Sequence, residues 1–245
     1  MSFDLRHFSY ESSAVDWCET NYQVSEYVVE FLNAFSNLPF LYLAYLSYYH
    51  WCKEQKLHND KFLNQSGLNV KIYFECIQIN FILIPILSFY FHMTLSHFGQ
   101  IVDEFSILTF IIFLDKSIPH KVAKFSFSVL ALVICPDLNR ILLAIYGFEI
   151  AYKLYHEIHA QTTYSFHTKR LHVLFYRSIC LLGIATVFWV IDITLCPYLY
   201  FSVHWIWHMV SGFGLYNVLE FLLEKELRKR FEYDNAFYQK CQYLT

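Results

Sequence analysis

Residues 200–223 read YFSVHWIWHMVSGFGLYNVLEFLL, an apolar and aromatic run that contains two histidines, His204 and His208. A run of this length is enough for an α-helix to cross a bilayer. The i, i+4 spacing places both imidazoles on one face of that helix. Imidazole is costly to place within a bilayer, and two nitrogen ligands on one face supply half of a tetrahedral zinc site. The run therefore predicts a membrane helix that carries part of a zinc site.

The composition of the whole chain agrees with a membrane setting. Of the 245 residues, 56% are hydrophobic and 16% are charged, and the mean hydropathy is +0.33. A soluble domain usually carries about 25% charged residues. We therefore expect an all-α polytopic membrane protein whose surroundings are membrane lipid. The net charge of -3 gives no reason to expect nucleic acid as a partner.

Seven apolar segments predict a seven-transmembrane-helix bundle over residues 28–223, between an N-terminal segment (1–27) and a basic tail (224–245). The fourth and fifth are short for a bilayer of about 30 Å and leave open a single re-entrant element. The segments are Val28–Tyr49, Ile72–Phe91, Phe98–Leu114, Val122–Cys135, Ile141–Leu154, Leu174–Thr194 and Tyr200–Leu223.

The positive charges predict the orientation of this bundle. If the N-terminus is outside, all but two of the 18 lysines and arginines fall in inside loops or in the C-terminal tail, the exceptions being Arg6 and Arg140. Positive charge accumulates on the cytoplasmic side of membrane proteins. The distribution therefore predicts a lumenal or extracellular N-terminus and a cytosolic C-terminus.

With the spans oriented in this way, five polar residues fall at one depth, near the outer surface. Ser88 and His92 share a face near the outer end of the second span, Asp103 lies one or two turns into the third, and His204 and His208 lie in the outer half of the seventh. The three histidines would form a zinc site with an open fourth position, as catalytic zinc sites have. Asp103 could then serve as a base or as a partner of a histidine, and Ser88 as a donor to an oxyanion. The alternative is that each histidine only bonds a neighbouring helix.

The segment before the first span is acidic. Asp16, Glu19, Asn21 and Glu30 are oxygen donors of the kind that calcium prefers, although their spacing is not that of an EF-hand. The alternative is an acidic helix cap, which is favoured by the helix dipole and would account for Glu19 and Glu26. That alternative leaves Glu30 without a partner at the start of the first span.

Two of the seven cysteines, Cys18 and Cys196, fall at the outer surface, in an oxidising compartment. They could pair and tie the acidic segment to the loop that leads to His204. The alternative is that all seven are free thiols that pack as small apolar groups.

Several motifs occur in one order between about residue 10 and about residue 225. They are DWCETNY at 16–22, EFLNAFSN at 30–37, SxxxHxTL at 88–95 with GQxxDE at 99–104, and HxxxHxxxG at 204–212. In sequence, order and span count, the chain resembles the alkaline ceramidases, seven-span amidases that act on lipids. Several motifs at matching spacing are far more specific than any one of them.

The resemblance implies hydrolysis of the amide bond of ceramides to a sphingoid base and a free fatty acid, in an integral membrane protein of the endoplasmic reticulum or Golgi. No obligate protein partner is implied. A catalytic zinc would be held by His92, His204 and His208, with Ser88 and Asp103 completing the active site. A structural or regulatory calcium would be held by Asp16, Trp17 (through its backbone carbonyl), Glu19, Asn21 and Glu30. A disulfide would join Cys18 to Cys196.

Two other classes of protein compete with this hypothesis. A heptahelical receptor or scaffold could carry zinc without turning over lipid, but such receptors have the N-terminus inside, against the charge distribution. A transporter would show helices broken by glycine or proline at the midplane, and only Pro85 hints at that. Release of fatty acid from ceramides distinguishes all three.

Overall fold

The computed structural model describes residues 5–57, 65–115, 118–134, 138–159, 166–199 and 201–242. Over these residues the prediction of an all-α fold is confirmed, with a five-residue helix and seven longer ones joined by short connections. Short 3-10 turns cover Leu5–Phe8 and Cys196–Tyr198. The helices are α1 (Phe31–Phe35), α2 (Asn37–Leu57), α3 (Gln65–Thr94), α4 (His97–Leu114), α5 (Ile118–Ile134), α6 (Leu138–His159), α7 (Phe166–Leu195) and α8 (His204–Gln242).

Four stretches within these helices are long and apolar enough to cross a bilayer, which identifies a membrane protein. They coincide with the second, third, sixth and seventh predicted spans. The other predicted spans fall on α2, α5 and α6, so the count of seven and the orientation stay predictions. The four stretches are Asn69–Thr94, His97–Leu114, Lys169–Tyr198 and His204–Lys229.

Several helices extend beyond the expected spans, and two further differences concern a break and an end. The first predicted span is interrupted at Ser36, between α1 and α2. Pro39 explains the interruption, because a proline lacks an N–H and its ring clashes with the carbonyl four residues earlier, that of Phe35. The last helix continues past Leu223 to Gln242, so the predicted start of the tail is not the end of a helix.

Six helices form a ring. Each helix contacts the next in the order α2, α3, α4, α6, α7 and α8, and α8 contacts α2 to close the ring. The remaining long helix, α5, packs outside the ring against α4 and α6. The aromatic side chains of Phe40, Trp51, Phe81, Phe110 and Phe221 are buried in the main core. The outward side of α7 exposes large aliphatic side chains, as expected where a helix faces lipid rather than water.

The N-terminal segment lies over one end of this ring. Its backbone N–H groups at Glu11, Val29 and Glu30 donate to carbonyls at the end of α3, among them the carbonyl of His92. The predicted disulfide between Cys18 and Cys196 is present and fixes the segment to the connection between α7 and α8. The pairing prediction is therefore confirmed, and the segment closes one end of the ring.

Candidate metal centre

The bundle brings together three histidines from two helices. His92 comes from the last turn of α3, and His204 and His208 come from the first two turns of α8. One ring nitrogen of each lies within 4.8 Å of the other two, and the side chains are at most 4% exposed. Among the described residues, no other group of three histidine, cysteine or acidic side chains is arranged to hold a metal ion.

His92 is oriented by Glu30. Its Nδ1 lies 2.5 Å from Glu30 Oε2, so the ring donates its proton there and the carboxylate accepts. Glu30 also accepts from the backbone N–H of Trp17 at 3.0 Å and from Asn33 Nδ2 at 3.1 Å. The opposite nitrogen of His92, Nε2, is buried without a partner among the described residues. Histidines that bind metals are commonly held in this way by a carboxylate on the other nitrogen.

His208 is oriented by Ser36, at the break between α1 and α2. Ser36 Oγ lies 2.7 Å from His208 Nδ1 and 2.7 Å from the carbonyl of Asn33. A serine hydroxyl has one proton to donate. Because that proton goes to the carbonyl, Ser36 accepts from His208 Nδ1–H. The lone pair of His208 Nε2 is then available to a ligand, with Ser88 Oγ 3.5 Å away.

His204 is held by stacking rather than by a carboxylate. Its ring lies on the indole of Trp17, with centroids 3.6 Å apart and planes inclined by 21°. His204 Nδ1 is buried without a partner in the described part of the chain. Nitrogens on all three rings are thus left for a common ligand, and this donor set fits a metal ion that accepts three imidazoles.

Ser88 and Asp103 lie beside the histidines, on α3 and α4. Both side chains are less than 10% exposed, and the Ser88 hydroxyl neighbours the Asp103 carboxyl. Asp103 Oδ1 is buried and has no partner among the described side chains and backbone groups. The two residues therefore place a hydroxyl and a carboxyl with an unused oxygen next to the imidazole nitrogens.

His204 and His208 lie at one end of a cavity of about 500 Å³ that runs inside the helix ring. Ser88, Asp103, His204 and His208 line its outer part. Most of the other lining side chains are apolar, among them Phe40, Ile111, Leu154, Leu182, Leu215 and Val218. A mainly apolar cavity with a few convergent polar groups at one end suits a ligand that has a small polar part and a long hydrocarbon part.

One acid of the predicted calcium site caps a helix. Glu19 accepts from the backbone N–H groups of Leu32 and Asn33, at 2.5 and 2.7 Å, so its carboxylate caps α1, as the helix-cap alternative expected. The described residues of this segment include no group of three closely spaced acidic side chains, so the calcium site, which also uses an amide and a backbone carbonyl, stays a prediction. Asn21 Oδ1 is buried without a partner there. Burial raises the pKa of Glu19, and partial burial and the charge of Glu30 raise that of Asp16.

Asp192, near the end of α7, joins the N-terminal segment to α8 and was not expected from the sequence. Its Oδ1 accepts from the backbone N–H groups of Val203 and His204 at 2.8 and 3.1 Å, and its Oδ2 accepts from Cys18 N–H at 3.1 Å. The sequence does contain a signal for Asp192, because an acidic residue within a predicted membrane span indicates a functional site by default.

Asn33, Ser36 and Asn37 were also not expected as site residues. Asn37 Nδ2 donates to the carbonyl of Asn33 at 3.0 Å and lies 3.4 Å from His208 Nδ1. The signal was their spacing, since positions i, i+3 and i+4 share one face of a helix and all three are polar in an otherwise apolar segment.

Comparisons with known proteins agree with the motifs. The ceramidase family model matches residues 9–242. The chain is similar to alkaline ceramidase 1 of Mus musculus, at 31% identity over 226 residues that cover 83% of this chain and 76% of that protein. Alkaline ceramidase 1 of Homo sapiens is 28% identical over 83% of this chain and 79% of its own length. An alkaline ceramidase of Drosophila melanogaster is 29% identical over 91% and 82%.

Proposed function

Because the chain belongs to the ceramidase family, we propose that it is a zinc-dependent amidase of sphingolipid metabolism. It hydrolyses the amide bond of ceramides and releases a sphingoid base and a free fatty acid. One observation carries the proposal: three buried imidazoles with free nitrogens lie close together, and two of them line one end of a mainly apolar cavity.

The histidines His92, His204 and His208 would hold the zinc. When bound, zinc supplies Lewis-acid activation of the amide carbonyl and of the water that attacks it. Glu30 and Ser36 fix which nitrogen of His92 and of His208 carries the proton, so the other nitrogen of each ring is free to bind a metal. These two contacts make the site ready for a metal without rotation of either ring.

The proton transfers belong to Asp103 and the stabilisation of charge to Ser88. Asp103 accepts a proton from the attacking water through its unused Oδ1 and then delivers it to the departing amine nitrogen. Ser88 donates a hydrogen bond to the oxygen on which negative charge develops. Both side chains are buried beside the imidazoles, where such hydrogen bonds are stronger than in water.

We further propose that a calcium ion stabilises the N-terminal segment. Its ligands would be the side chains of Asp16, Glu19, Asn21 and Glu30 and the backbone carbonyl of Trp17. The support is chemical: buried Asn21 Oδ1 has no partner in the described residues, and burial, together with the charge of Glu30, raises the pKa of both Asp16 and Glu19. A carboxylate oxygen that accepts one N–H retains a second lone pair for a cation.

The membrane arrangement is proposed with the chemistry. The catalytic bundle crosses the membrane seven times, with residues 1–27 on the lumenal side and residues 224–245 on the cytosolic side, in the endoplasmic reticulum or Golgi. The histidines then lie in the outer half of the bilayer. Both hydrocarbon chains of a ceramide can remain in lipid or in the cavity while its amide reaches the imidazoles.

The proposal is tested by release of sphingoid base from ceramides of several acyl lengths by the purified protein. We expect His208→Ala to lower the rate by more than about a hundredfold, since it removes a ligand rather than a partner of a ligand. His159→Ala, on an exposed histidine of α6, is the matched control and should retain the rate. Full activity of His208→Ala with zinc supplied would refute the zinc mechanism. A wild-type protein that binds zinc and releases nothing would indicate a receptor or scaffold.

A further inference from the structure

Asn139, the second residue of α6, is a buried amide that the chemistry above does not use. The residue is 2% exposed and lines the same cavity as Asp103, His204 and His208. Neither Oδ1 nor Nδ2 has a hydrogen-bond partner among the described residues. Buried polar groups are normally paired, and each exception calls for an explanation.

Other buried or half-buried asparagines in the described helices are at least partly paired. Asn80 and Asn217 each donate to a carbonyl one turn back in their own helix, at 2.8 and 2.7 Å. Asn139 has no such option, because the second residue of a helix has no preceding turn to donate to. An amide at this place in the fold therefore gains nothing within its own helix and is costly to bury.

The unpaired groups of Asn139 define the chemistry of a ligand. The amide offers an acceptor and a donor side by side. A hydroxyl pairs with both, since it donates to Oδ1 and accepts from Nδ2. A carbonyl would pair with Nδ2 alone and leave Oδ1 unpaired, and a hydrocarbon chain would pair with neither.

A ceramide presents hydroxyls where they are needed. The carbon that bears its amide nitrogen is flanked by two hydroxyl-bearing carbons, C1 and C3. If the amide lies at the imidazoles, both hydroxyls remain in the polar outer part of the cavity. We propose that Asn139 binds a hydroxyl of the sphingoid part and makes the enzyme specific for hydroxylated sphingoid amides. This rests on the proposed function and adds the group by which the substrate is recognised.

The test compares kcat/KM for ceramide, 1-deoxyceramide and 3-deoxyceramide in wild type and Asn139→Leu. Wild type should prefer ceramide over at least one deoxy analogue by about tenfold or more, because an enzyme built to bond a hydroxyl rejects the analogue that lacks it. Asn139→Leu should lose that preference. Leu143→Ala, which changes an apolar cavity residue one turn along α6, is the control and should retain the preference whatever its rates.

Thermal stability separates this role from a structural one. Without lipid, Asn139→Leu should unfold at a temperature equal to or above that of wild type, because an apolar side chain replaces an unpaired amide. A less stable variant that keeps the wild-type preference for ceramide would overturn the proposal. If Asn139→Leu does not fold, Asn139→Ser replaces it in the same comparison.

Binding gives a readout that does not depend on turnover. Thermal stabilisation by each lipid is measured on zinc-free protein. In wild type, ceramide should stabilise more than the deoxy analogue that wild type disfavours in the kinetic comparison. In Asn139→Leu, the two lipids should stabilise equally. Equal stabilisation by all three lipids in wild type would refute the role of Asn139. If wild type hydrolysed ceramide and both deoxy analogues equally well, the role of Asn139 would also be refuted, whereas the proposed amidase activity would still hold. A protein that binds ceramide with this preference but never hydrolyses it would refute the amidase alone.

Discussion

At the scale of single residues, the candidate metal centre depends on the neighbours that fix each imidazole. Glu30 and Ser36 receive the Nδ1 protons of His92 and His208, and Trp17 stacks on His204. A ring held in one orientation and one tautomer loses less freedom when it binds a metal. Partners of this kind contribute to metal affinity although they do not touch the ion.

Ser36→Ala should weaken zinc binding by about 10- to 100-fold, because His208 loses the acceptor of its Nδ1 proton. Competition with a chromophoric chelator measures the affinity, and hydrolysis should recover when zinc is saturating. Ser47→Ala is the control, since Ser47 is a buried serine of α2 that accepts from Gln78 instead of from a histidine. Unchanged zinc affinity in Ser36→Ala would contradict the role of this hydroxyl.

The calcium proposal predicts that calcium raises the unfolding temperature of wild type by a few degrees after treatment with a calcium-selective chelator. Asp16→Ala should abolish most of that rise, because it removes a carboxylate from the ligand set. Glu26→Ala, an exposed acid of the same segment, should keep it. Differential scanning fluorimetry measures the effect. A wild-type protein with no response to calcium would contradict the proposal.

The sequence predicted the histidines better than it predicted their partners. The i, i+4 pair and the matching depth of His92 depend only on helical periodicity and on the order of the spans. Ser36 reaches His208 because the first span is interrupted there, and Glu30 reaches His92 because the N-terminal segment returns along the end of α3. Both contacts depend on how a non-helical backbone folds over the bundle, which periodicity does not specify.

At the scale of elements, the start of α8 determines where His204 and His208 lie. The first N–H groups of a helix have no partner within it. Here Asp192 of α7 accepts from Val203 and His204, and Cys18 is joined to the same region by its disulfide and its N–H. One carboxylate thus connects α7, α8 and the N-terminal segment beside the metal ligands.

Asp192→Ala should destabilise the protein by about 1–3 kcal/mol, because buried N–H groups at the start of α8 lose their acceptor. The zinc affinity of Asp192→Ala should fall as well, since His204 is the first residue of α8. Asp192→Asn keeps one acceptor oxygen and should lose less on both counts. Thr194→Ala on the exposed side of α7 is the control for unfolding temperature. An Asp192→Ala protein as stable as that control would show that the cap is unimportant.

Helix boundaries were the part of the fold that the sequence described least well. Apolar runs identified the helical segments, but hydropathy alone does not detect a break that buried polar groups can satisfy. Ser36 and Asn37 donate to the carbonyl of Asn33, and Ser36 accepts from His208 across the break between α1 and α2. In the same way, charge after Leu223 was interpreted as the start of a tail, although charged side chains on exposed faces are compatible with a continuing helix.

At the scale of the whole molecule, the ring of six helices produces both the cavity and the position of the site. The histidines lie at the end that the N-terminal segment covers, and the apolar walls extend toward the other end. The composition and the apolar runs predicted a helical membrane protein. The cavity depends on which helices are neighbours, and no local pattern in the sequence specifies that.

The proposed orientation predicts which side of the membrane each loop faces. In a background without the free thiols, Glu26→Cys should react with an impermeant maleimide only from the lumenal side of sealed vesicles. Lys53→Cys, at the other end of the bundle, should react only from the cytosolic side. Both positions are exposed, so the labelling reports sidedness rather than burial. The reverse pattern would refute the orientation and favour the receptor-like topology.

The most direct test of the central claim is the metal dependence of ceramide hydrolysis by purified protein. Zinc content measured by mass spectrometry should be one ion per chain, and removal by a chelator should abolish release of sphingoid base. Zinc alone should restore it in wild type, whereas His208→Ala should neither bind zinc nor regain activity. A zinc-free wild-type protein that hydrolyses ceramide at the full rate would contradict the account.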